Sequence, residues 1–193
     1  MMNASQLPTL PALRCLGRLA EVRPDIIVDT REQAPLTFTR LSSRTGTLIT
    51  GDYSFAGAEE RFAVERKSIA DLVACCVGDN RDRFFRELHR LRGFLFKRLL
   101  IVGTAEEVER GTYRSQVKPA AVLATLSALE VRFDVPVVFA SLREEAACKI
   151  ESWVYWFARE QVEILNGVAR SSGLTASTRY QPPVTPGPPK PQA

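Results

Sequence analysis

Apolar residues fall in short runs broken by polar turns, and their spacing alternates between period two and period 3.6. Ile26-Ile27-Val28, ending at Asp29, reads as a short buried strand. Residues 47–50 read as a second strand that runs into the turn Gly51-Asp52-Tyr53, and residues 62–65 as a third. Residues 68–77 carry a helical pattern ended by Gly78. Residues 81–96 form a stronger helix, with Phe84, Leu88, Leu91 and Leu95 on one face. A strand at 99–102 leads into Gly103. Thr104 and Glu107 form a capping box for a short helix, and Pro119 suits the first turn of a helix to about Val131. After a strand at 136–140, Ser141 and Glu144 form a second capping box. They open a long helix to about Leu165, ended by Gly167. Strands first, then β-α-β-α alternation, predict an α/β sandwich: a mixed central sheet with helices on both faces.

The two ends break this pattern. Residues 1–24 hold Pro8, Pro11 and Pro24, with room for a short helix at 12–20. Six of the twelve prolines lie between Pro182 and Pro191, and apolar residues are sparse from about Ser171. The expectation is an N-terminal segment at 1–24, one domain at 25–167 and a Pro-rich, disordered or extended tail at 168–193. A length of 193 residues suits one domain with a substantial core.

Charge is distributed unevenly. The chain carries +4 in total, yet residues 81–98 hold seven Arg or Lys against two acids, a local +5. A basic stretch in an otherwise near-neutral chain points to a polyanion. The cysteines, Cys15, Cys75, Cys76 and Cys148, show no Cys-x-x-Cys pair, and His89 is the only histidine, so no zinc spacing exists. Cys75 and Cys76 read as small buried hydrophobes of a reducing compartment. No apolar run would span a bilayer and no signal pattern opens the chain, so a cytoplasmic, DNA-associated location is expected.

Acidic residues recur at strand ends. Asp29-Thr30-Arg31-Glu32 closes the first strand, Gly51-Asp52-Tyr53 the second and Glu65-Arg66-Lys67-Ser68-Ile69-Ala70-Asp71 the third. Hard oxygen ligands at this density suit Mg²⁺, which needs only a few carboxylates and keeps several waters. Asp52 and Glu65 are the leading ligand candidates, and Asp29 and Glu32 reach the same ion if the strands are neighbours. Alternation puts Lys67 on the face of Glu65, where it can orient or deprotonate water or neutralise developing charge. Arg66 either contacts phosphate or pairs with Asp29 or Glu32. Asp71 either belongs to the site or caps the helix that Ser68 begins.

The run Val28-Asp29-Thr30-Arg31-Glu32, then Gly51-Asp52-Tyr53, then Val64 to Leu72 resembles the nuclease domain of the XPF-type structure-selective endonucleases. Their hallmark reads Gly-Asp, a spacer, Glu-Arg-Lys, three residues, Asp. Arg83-Phe84 matches a basic-aromatic pair that follows it. The resemblance covers about residues 25–165. It implies a restriction-endonuclease-like core, a Mg²⁺ or Mn²⁺ cofactor and cleavage of branched or flapped DNA. It makes Asp29, Glu32, Asp52, Glu65, Arg66, Lys67 and Asp71 catalytic residues, with Asp29, Asp52 and Glu65 on the metal. By the resemblance Arg83 touches DNA, and Arg31, Arg86 and Arg90 are expected to join it. The tandem helix-hairpin-helix module and helicase-like region usual in that family have no counterpart in this sequence, which suggests a stand-alone nuclease domain.

Arg83, Arg86 and Arg90 share one side of their helix and read as a phosphate-facing surface, while His89 reads as a surface residue. Trp153, Trp156 and Phe157 on the last helix read equally as core or as a homodimer interface. Two other functions fit the same residues: a non-catalytic DNA-binding partner subunit, or a nuclease of sequence-specific or RNA specificity on the same core.

Overall fold

The β-branched and aromatic runs of the sequence assemble into one six-stranded sheet in the computed structural model, which describes residues 23–173. The strands are β1 (Ile26–Asp29), β2 (Ser43–Gly46), β3 (Tyr53–Phe55), β4 (Phe62–Ser68), β5 (Phe96–Val102) and β6 (Val137–Ala140). They lie in the order β2-β1-β3-β4-β5-β6. The pairs β1–β2, β4–β5 and β5–β6 are parallel, whereas β3 runs antiparallel to both neighbours. The sheet is mixed, as the alternation predicts.

Period-two alternation sends side chains to two cores. Phe62, Val64 and Leu100 join Ile26, Val28, Tyr53 and Phe55 under α5 (Arg143–Ser171). Ala63, Leu99 and Ile101 face α1 (Ile69–Ala74), α2 (Gly78–Leu91), α3 (Ala105–Arg110) and α4 (Pro119–Phe133). Helices therefore cover both faces. Among the described residues no helix is long and apolar enough to cross a membrane. The segment at 12–20, Cys15 and the prolines from Pro182 onward lie outside the described residues.

Several boundaries move, each for a local reason. Residues 47–50 are not a strand. Leu48 and Thr50 are buried and Ile49 exposed, which mimics strand alternation, but the Leu48 amide donates to the Asp29 carboxylate at 2.7 Å instead of entering a ladder. The strand before it is polar Ser43–Gly46, at the sheet edge, where apolar patterning is weak. α1 stops at Ala74, and α2 begins at Gly78 itself, whose φ of +59° turns the chain between them. α2 ends at Leu91, so Leu95 lies beyond it and is 68% exposed. β5 begins at Phe96, because parallel pairing with β4 starts at Phe62↔Phe96.

The Thr104–Glu107 capping box forms in full, and Pro119 is the first residue of α4. Ser141 and Glu144 do not form theirs: α5 starts with Leu142 as its cap, and the Ser141 amide donates to Glu145 Oε2 at 2.8 Å. α5 also passes through Gly167 to Ser171, with Asn166 and Ala169 buried on either side. Trp153 and Phe157 pack against the α5-side core, whereas Trp156 is 56% exposed. Cys76 is buried as expected, Cys75 is half-buried and Cys148 is exposed.

A buried charge secures the loop between β1 and β2. Glu151 on α5 is fully buried, and its Oε1 accepts the amides of Thr39, Arg40 and Leu41 at 2.9, 2.6 and 3.1 Å. Its Oε2 accepts Arg40 Nε at 2.8 Å. Removing one partner of such a pair leaves the other charge buried and unpaired. Glu151→Ala is therefore expected to lower unfolding free energy by about 3 kcal/mol in urea denaturation, with the helical signal of the native state retained.

Candidate active site

β4 carries Glu65-Arg66-Lys67 across the rim of the sheet, so its alternation divides the triplet between faces. Glu65 and Lys67 turn toward α1 and α2, and Lys67 Nζ donates to Glu65 Oε1 at 2.6 Å. The ring of Phe84 on α2 sits 5.3 Å from Lys67 Nζ. Arg66 turns to the other face and binds Glu32 through two bonds of 2.8 Å, Nε to Oε2 and Nη2 to Oε1. Of the two roles open to Arg66, the geometry realises the ion pair with Glu32.

Asp52 reaches the same place from the turn before β3. Gly51 holds φ +82°, and a Cβ there would lie 3.2 Å from both Ala63 Cβ and Val64 O, so the turn requires glycine. The Asp52 amide donates to Val64 O at 2.9 Å, and its Oδ2 accepts the Arg66 amide at 2.7 Å. Asp52 and Glu65 together line a cleft of about 170 Å³, and Asp52 also lines an adjoining one of about 390 Å³. Lys67, Arg83 and Glu87 line both.

Burial, reinforced by the Glu65 charge, pushes the Asp52 carboxyl up to about 8. Burial likewise raises Glu65, against the opposing pull of Lys67. Burial alone would lower Lys67, but Glu65 outweighs it and keeps the ammonium charged. Two carboxylates that resist ionising together, open to a polar cleft, suit a hard divalent cation. Among the described residues no third His, Cys, Asp or Glu completes such a group.

Asp29 does not join the pair. Its Oδ1 accepts the Arg31 amide and Arg31 Nε at 2.8 and 2.6 Å, and its Oδ2 accepts Arg31 Nη2 and the Leu48 amide at 3.2 and 2.7 Å. Glu32 is likewise filled, by Arg66, the Ala34 amide and Tyr53 Oη. Both carboxylates brace loops; Glu32 also lines the larger cleft beside Asp52, whereas Asp29 lines neither cleft. Asp71 sits at the third position of α1, where Ser68 Oγ donates to its Oδ2 at 2.7 Å and accepts its amide at 3.1 Å. That is the capping geometry, though Asp71 also lines the larger cleft.

The cations distribute along the mouth. Arg83 lines both clefts with its side chain 77% exposed, Arg31 lines both, and Arg90 lines the smaller while bonding Thr50 Oγ1 at 3.0 Å. Arg86 is exposed and lines neither. His89 is exposed, as expected. Glu87 is the site residue that sequence reasoning missed. Its only signal is the i,i+4 spacing to Arg83, which is common on solvated helices.

Residues 28–152 match the family model described as the ERCC4 domain. The chain belongs to the ERCC4 domain family. The resemblance to XPF-type proteins read from the hallmark is thereby upheld, and the match contains the whole hallmark from Gly51 to Asp71 as well as Asp29 and Glu32. Among solved structures, XPF from Aeropyrum pernix is 20% identical with a TM-score of 0.56, over 73% of this chain and 68% of that one. XPF from Aeropyrum pernix in complex with DNA is 22% identical with the same TM-score of 0.56, over 72% and 66%. At that identity the likeness is one of fold: this ERCC4 domain has the restriction-endonuclease-like core. Among curated proteins no relative matches.

The raised Asp52 carboxyl makes stability depend on pH. Its folded value of about 8 exceeds the ordinary carboxylate value of 3.8, so the native state holds the proton more tightly and loses stability as pH rises through that window. Asp52→Asn removes this titration. Denaturant unfolding without divalent cations should show the Asn variant gaining on the wild type as pH rises toward 8, then levelling off. A pH-independent difference would contradict a raised Asp52 carboxyl.

Proposed function

We propose that this ERCC4 domain is a Mg²⁺- or Mn²⁺-dependent DNA endonuclease acting near branch points or flaps. The reading is carried by the half-buried Asp52 and the buried Glu65 beside a charged Lys67, in a cleft rimmed by exposed arginines. The DNA in the second Aeropyrum pernix structure supports the substrate class.

Asp52 and Glu65 would hold the cation. Bound there, it would acidify the attacking water and offset charge on the phosphate. Asp52 must shed its proton for this, which favours activity above neutral pH. Lys67 cannot act as a base while Glu65 keeps it protonated, so it donates to a phosphate oxygen and offsets the developing charge. Arg83, Arg31 and Arg90 grip the backbone on either side. Arg66 takes no part in that grip, because Glu32 occupies its guanidinium. The exposed Trp156, with Ile164, Leu165 and Val168 further along α5, offers a face for a homodimer.

Asp52→Asn and Lys67→Ala should each reduce cleavage at least about 100-fold, while binding to the same DNA persists. The assay compares flap, fork, Holliday, linear duplex and RNA substrates with Mg²⁺ or Mn²⁺ across a salt titration. Sizing of the free protein accompanies it. Undiminished cutting by both variants would sink the proposal. A preference for linear duplex or RNA would move the specificity elsewhere on the same core.

A further inference from the structure

Glu87 stands on α2 between two cations of the cleft. Its Oε1 lies 3.4 Å from Arg83 Nε, and its Oε2 lies 3.7 Å from Lys67 Nζ. The side chain is 23% exposed and lines both clefts. Lys67 is thus held from two sides, by Glu65 at 2.6 Å and by Glu87, with the Phe84 ring packed beside it. On electrostatics alone a further carboxylate in this cleft opposes a polyanion and adds to the charge that raises Glu65. Its geometry gives it a compensating use. A cation drawing the charge of Glu65 would weaken the Glu65–Lys67 attraction, leaving Glu87 as the carboxylate on α2 that retains the ammonium.

We propose that Glu87 is a positioning residue that keeps Lys67 and Arg83 aimed into the cleft, at the cost of weaker DNA binding. This rests on the endonuclease reading above for its catalytic consequence. Its consequence for affinity is independent of that reading.

Two effects of opposite sign follow for Glu87→Gln, which keeps the side-chain shape and removes the charge. Anisotropy of labelled duplex DNA at low salt without divalent cation should show affinity rising about threefold, and the gain should fade as salt screens it. The single-turnover cleavage rate at saturating DNA should fall about tenfold, as expected for a displaced catalytic group. A residue that merely supports the fold would lower both, and would lower the melting temperature, which should here stay unchanged. In an Arg83→Ala background the affinity gain should shrink, because freeing Arg83 supplies part of it. Glu87→Asp should recover part of the rate. Unchanged or weaker binding by Glu87→Gln overturns the proposal, as does an unchanged rate where the wild type cuts. A wild type that binds DNA but does not cut removes the endonuclease reading instead, and the affinity measurement then decides the role of Glu87 alone.

Discussion

Three adjacent charges at the rim of a buried sheet must each find a partner, and the alternation of β4 decides which partner each can have. Arg66 passes to the α5 side and meets Glu32 in a bidentate pair whose two side chains are 11% and 3% exposed. At that burial the pair is worth keeping intact far more than it is worth having, since loss of either member strands the other charge. Glu65 and Lys67 are left on the opposite side, where only a polar cleft separates them from solvent. The same backbone that divides the triplet also donates the Arg66 amide to Asp52. One strand thus sets the position of both carboxylates of the acid pair and of the lysine beside it.

Support for this arrangement extends behind the sheet. Glu32 leads into a loop whose Leu36 amide donates to Tyr53 Oη at 3.0 Å. Further on, the Thr39, Arg40 and Leu41 amides are gathered by Glu151 of α5. Arg143 adds a bond of 2.8 Å to Pro35 O. The long last helix therefore fixes the loop that fixes Glu32, which fixes Arg66 and so β4. Rigid backing of this kind lets a cleft keep two carboxylates that repel each other. Without it, the cheapest response to their repulsion would be for one of them to swing away.

The core of this fold was legible wherever burial imposes a period. Strands β1, β4, β5 and β6 and helices α3 and α4 follow from apolar spacing and from the Thr104–Glu107 and Pro119 signals. What was not legible depends on partners distant in sequence. Ser43–Gly46 is polar because it is an edge, and 47–50 alternates because Leu48 and Thr50 turn inward beneath a loop, not because they pair in a sheet. Glu151 looks like any helical glutamate until the loop over a hundred residues earlier folds onto it. At the site, Asp52, Glu65 and Lys67 came together as their spacing suggested. Asp29 stays out of the clefts because Arg31 and the Leu48 amide satisfy it, and Glu32 lines the larger cleft with its oxygens already claimed by Arg66; a one-dimensional motif cannot say which acid an arginine will claim.

Exposure sorts these arginines by task. Arg66 and Arg40, with side chains 11% and 12% exposed, are consumed by buried glutamates and hold the framework. Arg83 and Arg31, at 77% and 65%, keep part of their guanidinium in water and stand at the mouth of the cleft. A buried arginine exchanged for a phosphate would leave its glutamate uncompensated, at several kcal/mol. Arg83, paired at 3.4 Å with the partly exposed Glu87, can exchange that pair at little cost, whereas Arg31 also neutralises the buried Asp29. Any anion entering the cleft would therefore meet the exposed set first, and the local excess of charge in residues 81–98 reaches the cleft only through those members that α2 turns toward it.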